Sequence, residues 1–260
     1  MTSKPVILLL FISFFYVSHA NTNPTWGKTG HRVVGAIAEQ YLDKDTKKQI
    51  NFLLGHQSLA LTATYADEIK FDHSYDQFKP WHYLNMPLDS TYEAADKNPE
   101  GDLFTGINYC KQILTDDKAS QTDKTFYLKM LIHLIGDLHQ PMHLGLKEDR
   151  GGNDLDVKWN YRDTNMHSVW DSKMIDSYDM SYSELSDNAF FLSKAEIEDL
   201  QEGDILDWIA ETHKLTNDVY QNVKEGDHLK SEYSFKYLDV ARLQMQKAGI
   251  RLAKVLNDIF

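Results

Sequence analysis

The stretch Leu131-Ile132-His133-Leu134-Ile135-Gly136-Asp137-Leu138-His139-Gln140-Pro141-Met142-His143 decides how this chain is read. It closes the strongest helical pattern in the sequence, Lys124 to His139. There Phe126, Leu128, Leu131, Ile132, Leu134, Ile135 and Leu138 recur with helical spacing, and Pro141 ends the run. His133 and Asp137 interrupt this apolar helix four residues apart, so both project from one face and can reach one ion or two adjacent ions. A lone His-x-x-x-Asp is ordinarily a hydrogen-bonded pair on a helix surface. Inside an apolar run both groups need buried partners, and a metal ion is an efficient one. On an unbroken helix His143 would lie off the His133–Asp137 face. The proline turns the chain, so His143 can serve a neighbouring ion.

Outward from this helix the same spacing recurs at His167 and Asp171, within a helical segment from Met166 to Ile175. Helical periodicity dominates elsewhere too. It predicts helices over His31–Leu42, Lys44–Leu54 (stopped by Gly55), Thr62–Lys70, Leu103–Leu114, Ile205–Val223 and Tyr237–Asn257. Residues 71–100, with Pro80, Pro87, Pro99 and many Asp and Asn, read as loop. Asp154 to Tyr161 alternates well enough for a short hairpin. The expected class is all-α: one compact multi-helix domain with a short β-hairpin and long loops that carry functional residues.

Composition narrows the function. The 260 residues are 42% hydrophobic and 25% charged, which excludes disorder, collagen and coiled coil. The single cysteine, Cys110, excludes an internal disulfide framework and a Cys-based zinc finger. A net charge of −12 leaves no broad basic face for duplex DNA, so a polyanionic substrate needs some other attraction. Residues 1–20 read as a secretory signal. Lys4 is basic, Val6 to Val17 carries no charge and is too short to span a membrane, and Ser18-His19-Ala20 places small residues at a cleavage site. Removing Lys4 gives the mature chain a charge of −13. The expected location is the medium or a periplasm.

Taken in order, Trp26-Gly27 with His31, Asp67, Trp81-His82-Tyr83, the His133-to-His143 stretch, Gly151-Gly152-Asn153 and His167-x-x-Trp170-Asp171 resemble the S1/P1 nuclease family. These are secreted, mainly α-helical enzymes with three zinc ions, distantly similar to zinc-dependent phospholipase C. The resemblance spans Trp26 to Asp171 by motif, the later helices are compatible with it, and it implies a catalytic domain over residues 26–260. It implies a first zinc held by Asp67, His82, His133 and Asp137, and a second by His143, His167 and Asp171. A third would take His31, bridging Asp137 and the amino nitrogen and carbonyl of Trp26. Five neutral imidazoles and three carboxylates neutralise half the charge of three Zn²⁺, so the site stays locally cationic inside an acidic protein.

The implied activity is in-line hydrolysis of single-stranded RNA and DNA by water activated within the zinc cluster, leaving 5′-phosphates, with 3′-nucleotidase activity beside it. Asp67 would also orient the water and Lys70 would grip phosphate. Tyr83 would stack a base and Asn85 would bind its edge, with Gly152 and Asn153 bringing backbone to the same pocket. No protein partner or membrane is implied, and a monomer is expected.

The chain departs from the family pattern in places. Cleavage after Ala20 would leave Asn21 to Thr25 ahead of Trp26, blocking its amine, so trimming or a start at Trp26 is expected. Lys70 stands where the family usually carries an arginine, and Asn85 where some members carry an aspartate. Fungal and plant members are disulfide-bonded, and with Cys110 alone this chain looks like a bacterial member. The alternatives are a phospholipase C on the same scaffold, whose last ligand is usually Glu where this chain has Asp171, and a non-catalytic zinc-binding protein. His56, His73, His213 and His228 read as solvated, and His139 as closer to the site but facing differently from His133. Trp81 and Trp170 read as packing residues, and Glu196 to Asp207 as a solvated acidic surface.

Overall fold

The computed structural model describes residues 27–260; the proposed signal and Trp26 lie outside that range. Helices α1 (Lys28–Gln40) and α2 (Lys44–Leu54) follow the sequence expectation closely. Gly55 ends α2 in the left-handed conformation, with φ 59°, that glycine adopts most readily. The helix expected over Thr62–Lys70 is broken into α3 (Leu59–Thr62), α4 (Tyr65–Glu68) and a 3₁₀ turn, Ile69–Phe71. Thr62 contributes to the break, since its hydroxyl bonds back to the carbonyls of Ser58 and Leu59.

The expected loop 71–100 begins instead with a 3₁₀ segment, His73–His82. Its aromatic residues recur on one side, so Phe78 packs edge-on against Trp81 and both sit over the main core. Two long helices follow, α5 (Leu103–Thr115) and α6 (Gln121–Leu138). α6 ends before Pro141, which becomes the first residue of a 3₁₀ turn, Pro141–Leu144.

The hairpin comprises β1 (Asp156–Trp159) and β2 (Arg162–Asn165), so it ends four residues beyond its expected limit at Tyr161. Its two turn residues, Asn160 and Tyr161, both have positive φ, as a tight two-residue hairpin requires. Helix α7 (Met166–Ser168) then runs through a π-helical turn, Val169–Lys173, into α8 (Met174–Asp176).

The two helices α9 (Tyr182–Asp187) and α10 (Lys194–Gln201) stand outside the sequence expectation. Each opens with a capping box, Ser181 with Glu184 and Ser193 with Glu196, a signal visible in the sequence. The stretch Glu196–Asp207 is therefore more than a solvated surface. Ile197 and Leu200 of α10 and Leu206 pack against the core, and Ile205 is buried. Helix α11 (Ile205–Gln221) leads through β3 (His228–Leu229), which pairs parallel with β1, to the 29-residue α12 (Ser231–Ile259).

The architecture is mostly helical with a small sheet ordered β2-β1-β3. The main core joins α1, α5, α6 and α12. α1 lies close on α12 because Gly249 has no side chain there: a Cβ would meet Ile37 at 2.6 Å. A second core gathers Val157, Trp159, Met166, Trp170, Tyr233 and Tyr237 around the sheet. α6 packs into the first core and α7 with its π turn into the second, so their polar residues meet where the two cores adjoin. Cys110 is buried in the first core. Among the described residues no helix is long and apolar enough to cross a membrane.

Candidate metal centre

The polar residues that interrupt these elements converge. His31 comes from the first turns of α1, Asp67 from α4, His82 from the end of the 3₁₀ segment, and His133 and Asp137 from α6. His143 sits on the turn after α6, His167 on α7 and Asp171 within the π turn. Such π turns recur at functional sites, and here the turn keeps His167 Nε2 3.1 Å from Asp171 Oδ2.

Asp137 is the hub. Its Oδ2 lies 2.9 Å from His82 Nδ1 and 3.1 Å from His133 Nε2. Its Oδ1 lies 3.3 Å from both His31 Nε2 and His143 Nδ1. Asp67 Oδ1 completes one side, 3.5 Å from His133 Nε2. His143 Nε2 reaches 3.5 Å from Asp171 Oδ1 on the other. The His31 ring stacks on His133 with 3.8 Å between centroids. Gly136 makes that approach possible, since a Cβ there would lie 2.8 Å from His31 Nδ1.

Three groups result, each with its donor atoms within 4.8 Å of one another: His31, His133 and Asp137; Asp67, His82 and His133; His143, His167 and Asp171. Each could hold a metal ion. The donor set of imidazole nitrogens and carboxylate oxygens suits zinc. Asp137 Oδ1, His143 Nε2 and Asp171 Oδ2 are buried and make no hydrogen bond. A native core rarely leaves such atoms without a partner, and cations between them would supply one.

The outer hydrogen bonds aim the rings. His133 Nδ1 donates to the Ala63 carbonyl at 2.7 Å, His143 Nδ1 to the His82 carbonyl at 2.8 Å, and His167 Nδ1 to the Gly151 carbonyl at 2.7 Å. In each case the proton is fixed on Nδ1 and the Nε2 lone pair faces the cluster.

Electrostatics follow from burial. Burial holds His31 below the usual histidine range, and it brings His82 down to about 3 with help from Lys70. His133 resists burial and is raised, because Asp137 and Asp67 face it. Burial works against the charged form of Asp67, Asp137 and Asp171 as well. The surrounding imidazoles outweigh it, holding Asp137 well below the carboxylate range and Asp171 at about 2. The carboxylates are therefore ionised, and His31 and His82 are available as neutral donors.

The substrate-side candidates border this centre. Lys70 Nζ sits 2.9 Å from Asp67 Oδ1, and both side chains are partly exposed. Tyr83 follows His82 and is 40% exposed. Asn85 lies beside Gly151, whose carbonyl holds His167. Gly151 and Gly152 have φ of 65° and 76°, and Gly152 donates its N–H to Asp149. Asn153 bonds the Arg150 carbonyl. Trp26 lies outside the described residues, and its neighbour Gly27 donates its N–H to the Asp171 carbonyl at 2.7 Å.

Other residues fare differently from expectation. His213 is not solvated: it is buried, with its ring nitrogens 3.3 and 3.2 Å from the Leu144 and Pro87 carbonyls. Its neighbours in sequence are polar, but on α11 it shares the inner face with Ile209, Thr212 and Thr216. His139 is buried, and its Nε2 accepts from buried Arg251 at 3.1 Å. Trp170 is buried and donates to the Tyr233 hydroxyl. Sequence reasoning missed Gln140, which is buried and bonded to Asp171, although it lies inside the central motif.

Residues 26–260 match the model of the S1/P1 nuclease family. Endonuclease 2 of Arabidopsis thaliana is 29% identical over 98% of this chain and 97% of its own length. Endonuclease 4 of the same plant is 30% identical over 90% of this chain and 89% of its own length. Nuclease S1 of Aspergillus oryzae is 32% identical over 67% of this chain and 63% of its own length. With the family pattern matched from residue 26 to the last residue, this chain belongs to the S1/P1 nuclease family.

Proposed function

We propose that this protein is a secreted, zinc-dependent nuclease that cleaves single-stranded RNA and DNA to 5′-phosphate products and acts as a 3′-nucleotidase. The observation that carries the proposal is the convergence of five histidines and three aspartates whose buried donor atoms include several with no hydrogen bond. Asp67, His82, His133 and Asp137 would hold one zinc, and His143, His167 and Asp171 a second. His31, Asp137 and the main chain of Trp26 would hold a third, and the anchoring of Gly27 to the Asp171 carbonyl supports that last role. Zinc supplies Lewis acidity toward a phosphoryl oxygen and the activation of water near neutral pH.

The chain's own residues do the rest. Asp67 is the one carboxylate of the three with partial exposure, 18%, which suits it to orient an incoming water. Lys70 beside it draws in the phosphate as a point charge. Tyr83 offers an exposed ring face to a base, a contact worth roughly 1–3 kcal/mol. A base can use that face only when it is outside a duplex stack, hence the preference for single strands. Asn85 presents donor and acceptor to the base edge, and Gly152 and Asn153 bring the backbone close to the same pocket. Residues 1–20 would direct export and be removed, and trimming to Trp26 would leave a catalytic domain over 26–260 that acts as a monomer.

The test is hydrolysis of single-stranded RNA by protein starting at Trp26, with and without a chelator, locating the phosphate on the products. Chelator-sensitive cleavage leaving 5′-phosphates is expected. Absence of cleavage in zinc-replete buffer would overturn the proposal.

A further inference from the structure

On the zinc reading proposed above, we infer that Gln140 is a positioning residue for one of the three ions. Its side chain sets two of the three ligands in the His143–His167–Asp171 group. Gln140 Oε1 accepts from the Met142 N–H at 2.5 Å, capping the 3₁₀ turn that carries His143. Its Nε2 donates to Asp171 Oδ1 at 2.5 Å. The amide has one orientation that satisfies both contacts, because the backbone N–H can only donate and the ionised carboxylate can only accept. With Oδ1 bound in this way, Asp171 Oδ2 is left toward His167 Nε2, 3.1 Å away, without a hydrogen bond of its own.

Gln140 is fully buried, and the chain on either side of it is pinned. Gln244 donates to the His139 carbonyl at 3.1 Å, and Thr216 donates to the Pro141 carbonyl at 2.7 Å. The amide is thus held from a rigid corner rather than carried by a mobile loop. Its two side-chain hydrogen bonds go to Asp171 and to the turn carrying His143, so its effect is directed at one ion. Outer hydrogen-bond partners of metal ligands typically change affinity about 10–100-fold.

Two variants separate the contacts. Gln140→Met keeps the side-chain length and removes both bonds. Gln140→Glu keeps the acceptor toward Met142 and loses the amide donor toward Asp171. Zinc content and affinity are read by competition against a chromogenic chelator, alongside the melting temperature of the metal-free proteins. Wild type starting at Trp26 is expected to bind three zincs. Both variants are expected to bind one of the three about 10–100-fold more weakly and the other two unchanged. A His167→Ala background is expected to abolish the difference, because the affected ion is already lost. Three zincs held with unchanged affinity in both variants would overturn the role of Gln140 alone. A wild-type protein that binds no zinc would overturn the metal reading itself. If Gln140→Met fails to fold, Gln140→Glu decides the question.

Discussion

The His143 ring donates its Nδ1–H to the main-chain carbonyl of His82 at 2.8 Å. One candidate ligand therefore fixes the tautomer of another assigned to a different ion. The same logic runs through His133 on the Ala63 carbonyl and His167 on the Gly151 carbonyl. Three chain segments distant in sequence thus supply the acceptors that aim three rings. The cluster is organised by backbone, which side-chain substitution elsewhere perturbs little.

Asp137 is the residue whose loss should be felt most widely. Its two oxygens face four imidazoles, those of His31, His82, His133 and His143. Asp137→Asn conserves shape and removes the charge. It is expected to lower zinc content and to reduce turnover of single-stranded RNA by at least about 100-fold, the upper range for an outer partner. Metal analysis paired with kinetics on the purified variant checks both. Full zinc content with unchanged turnover would remove Asp137 from the centre.

Gly136 gives a steric test of the His31 position. A Cβ there would lie 2.8 Å from His31 Nδ1, too close for either to stay in place. Gly136→Ala is expected to displace His31 and weaken one zinc. Overpacking of about 1–3 kcal/mol should be partly offset by a gain of roughly 1 kcal/mol in helix propensity. Chemical denaturation measures the net change, and chelator competition measures the zinc. A variant with three unaltered zinc affinities would show that His31 serves no ion.

The helix pairs at the centre are legible in the sequence because i,i+4 spacing alone places His133 beside Asp137, and the π turn preserves the contact between His167 and Asp171. The approach of Asp67 and His82 to α6 has no such local cause. It depends on the breaks at Ala63–Thr64 and the 3₁₀ segment before His82, and only the family resemblance brings these residues in. His213 is misread because local polarity hides which face of α11 turns inward. Short helices such as α9 bury too little apolar surface to leave a periodicity, and their signal lies in the capping boxes instead. Gln140 lies inside the central motif, but its role is not legible there, since it exists only once Asp171 arrives from another element.

Lys70 should act on substrate more than on stability. It pairs with Asp67 at the edge of the centre, where His133 and His82 also favour the Asp67 charge. Lys70→Ala is expected to leave the melting temperature nearly unchanged and to lower kcat/KM on single-stranded RNA by about 100-fold, as for loss of a single charged contact to a reacting phosphate. Lys70→Arg should retain most activity. Equal activity in the alanine variant would exclude a phosphate contact.

A pH dependence is expected from a carboxyl outside the ligand set. Burial raises the Glu211 carboxyl, but hydrogen bonds from Lys247 and Arg251 outweigh it and bring it to about 2, below its ordinary 4.5. A carboxyl depressed on folding stabilises above its unfolded value and loses that contribution as pH falls from about 4.5 through about 2. The side chain is 36% exposed, so screening reduces the effect to on the order of 1–2 kcal/mol. Metal-free wild type should therefore lose more stability over this acid range than metal-free Glu211→Gln. Parallel pH profiles would show that the pair contributes nothing.

Where the processed chain would start should decide how the third zinc is held. The N–H of Gly27 is fixed to the Asp171 carbonyl, and His31 lies one helical turn further along. A free α-amine at residue 26 titrates near pH 8, so near neutral pH a metal ion competes with its proton on modest terms. An acylated nitrogen, as in a chain beginning at Asn21, has its lone pair delocalised into the peptide bond and does not offer it to a metal. Protein starting at Trp26 is therefore expected to bind three zincs and the longer form two tight ones. The longer form should regain the third, together with turnover, when an aminopeptidase trims it to Trp26. The two forms compared by native mass spectrometry decide the matter: three equally tight zincs in the untrimmed protein would mean that the amine of Trp26 takes no part.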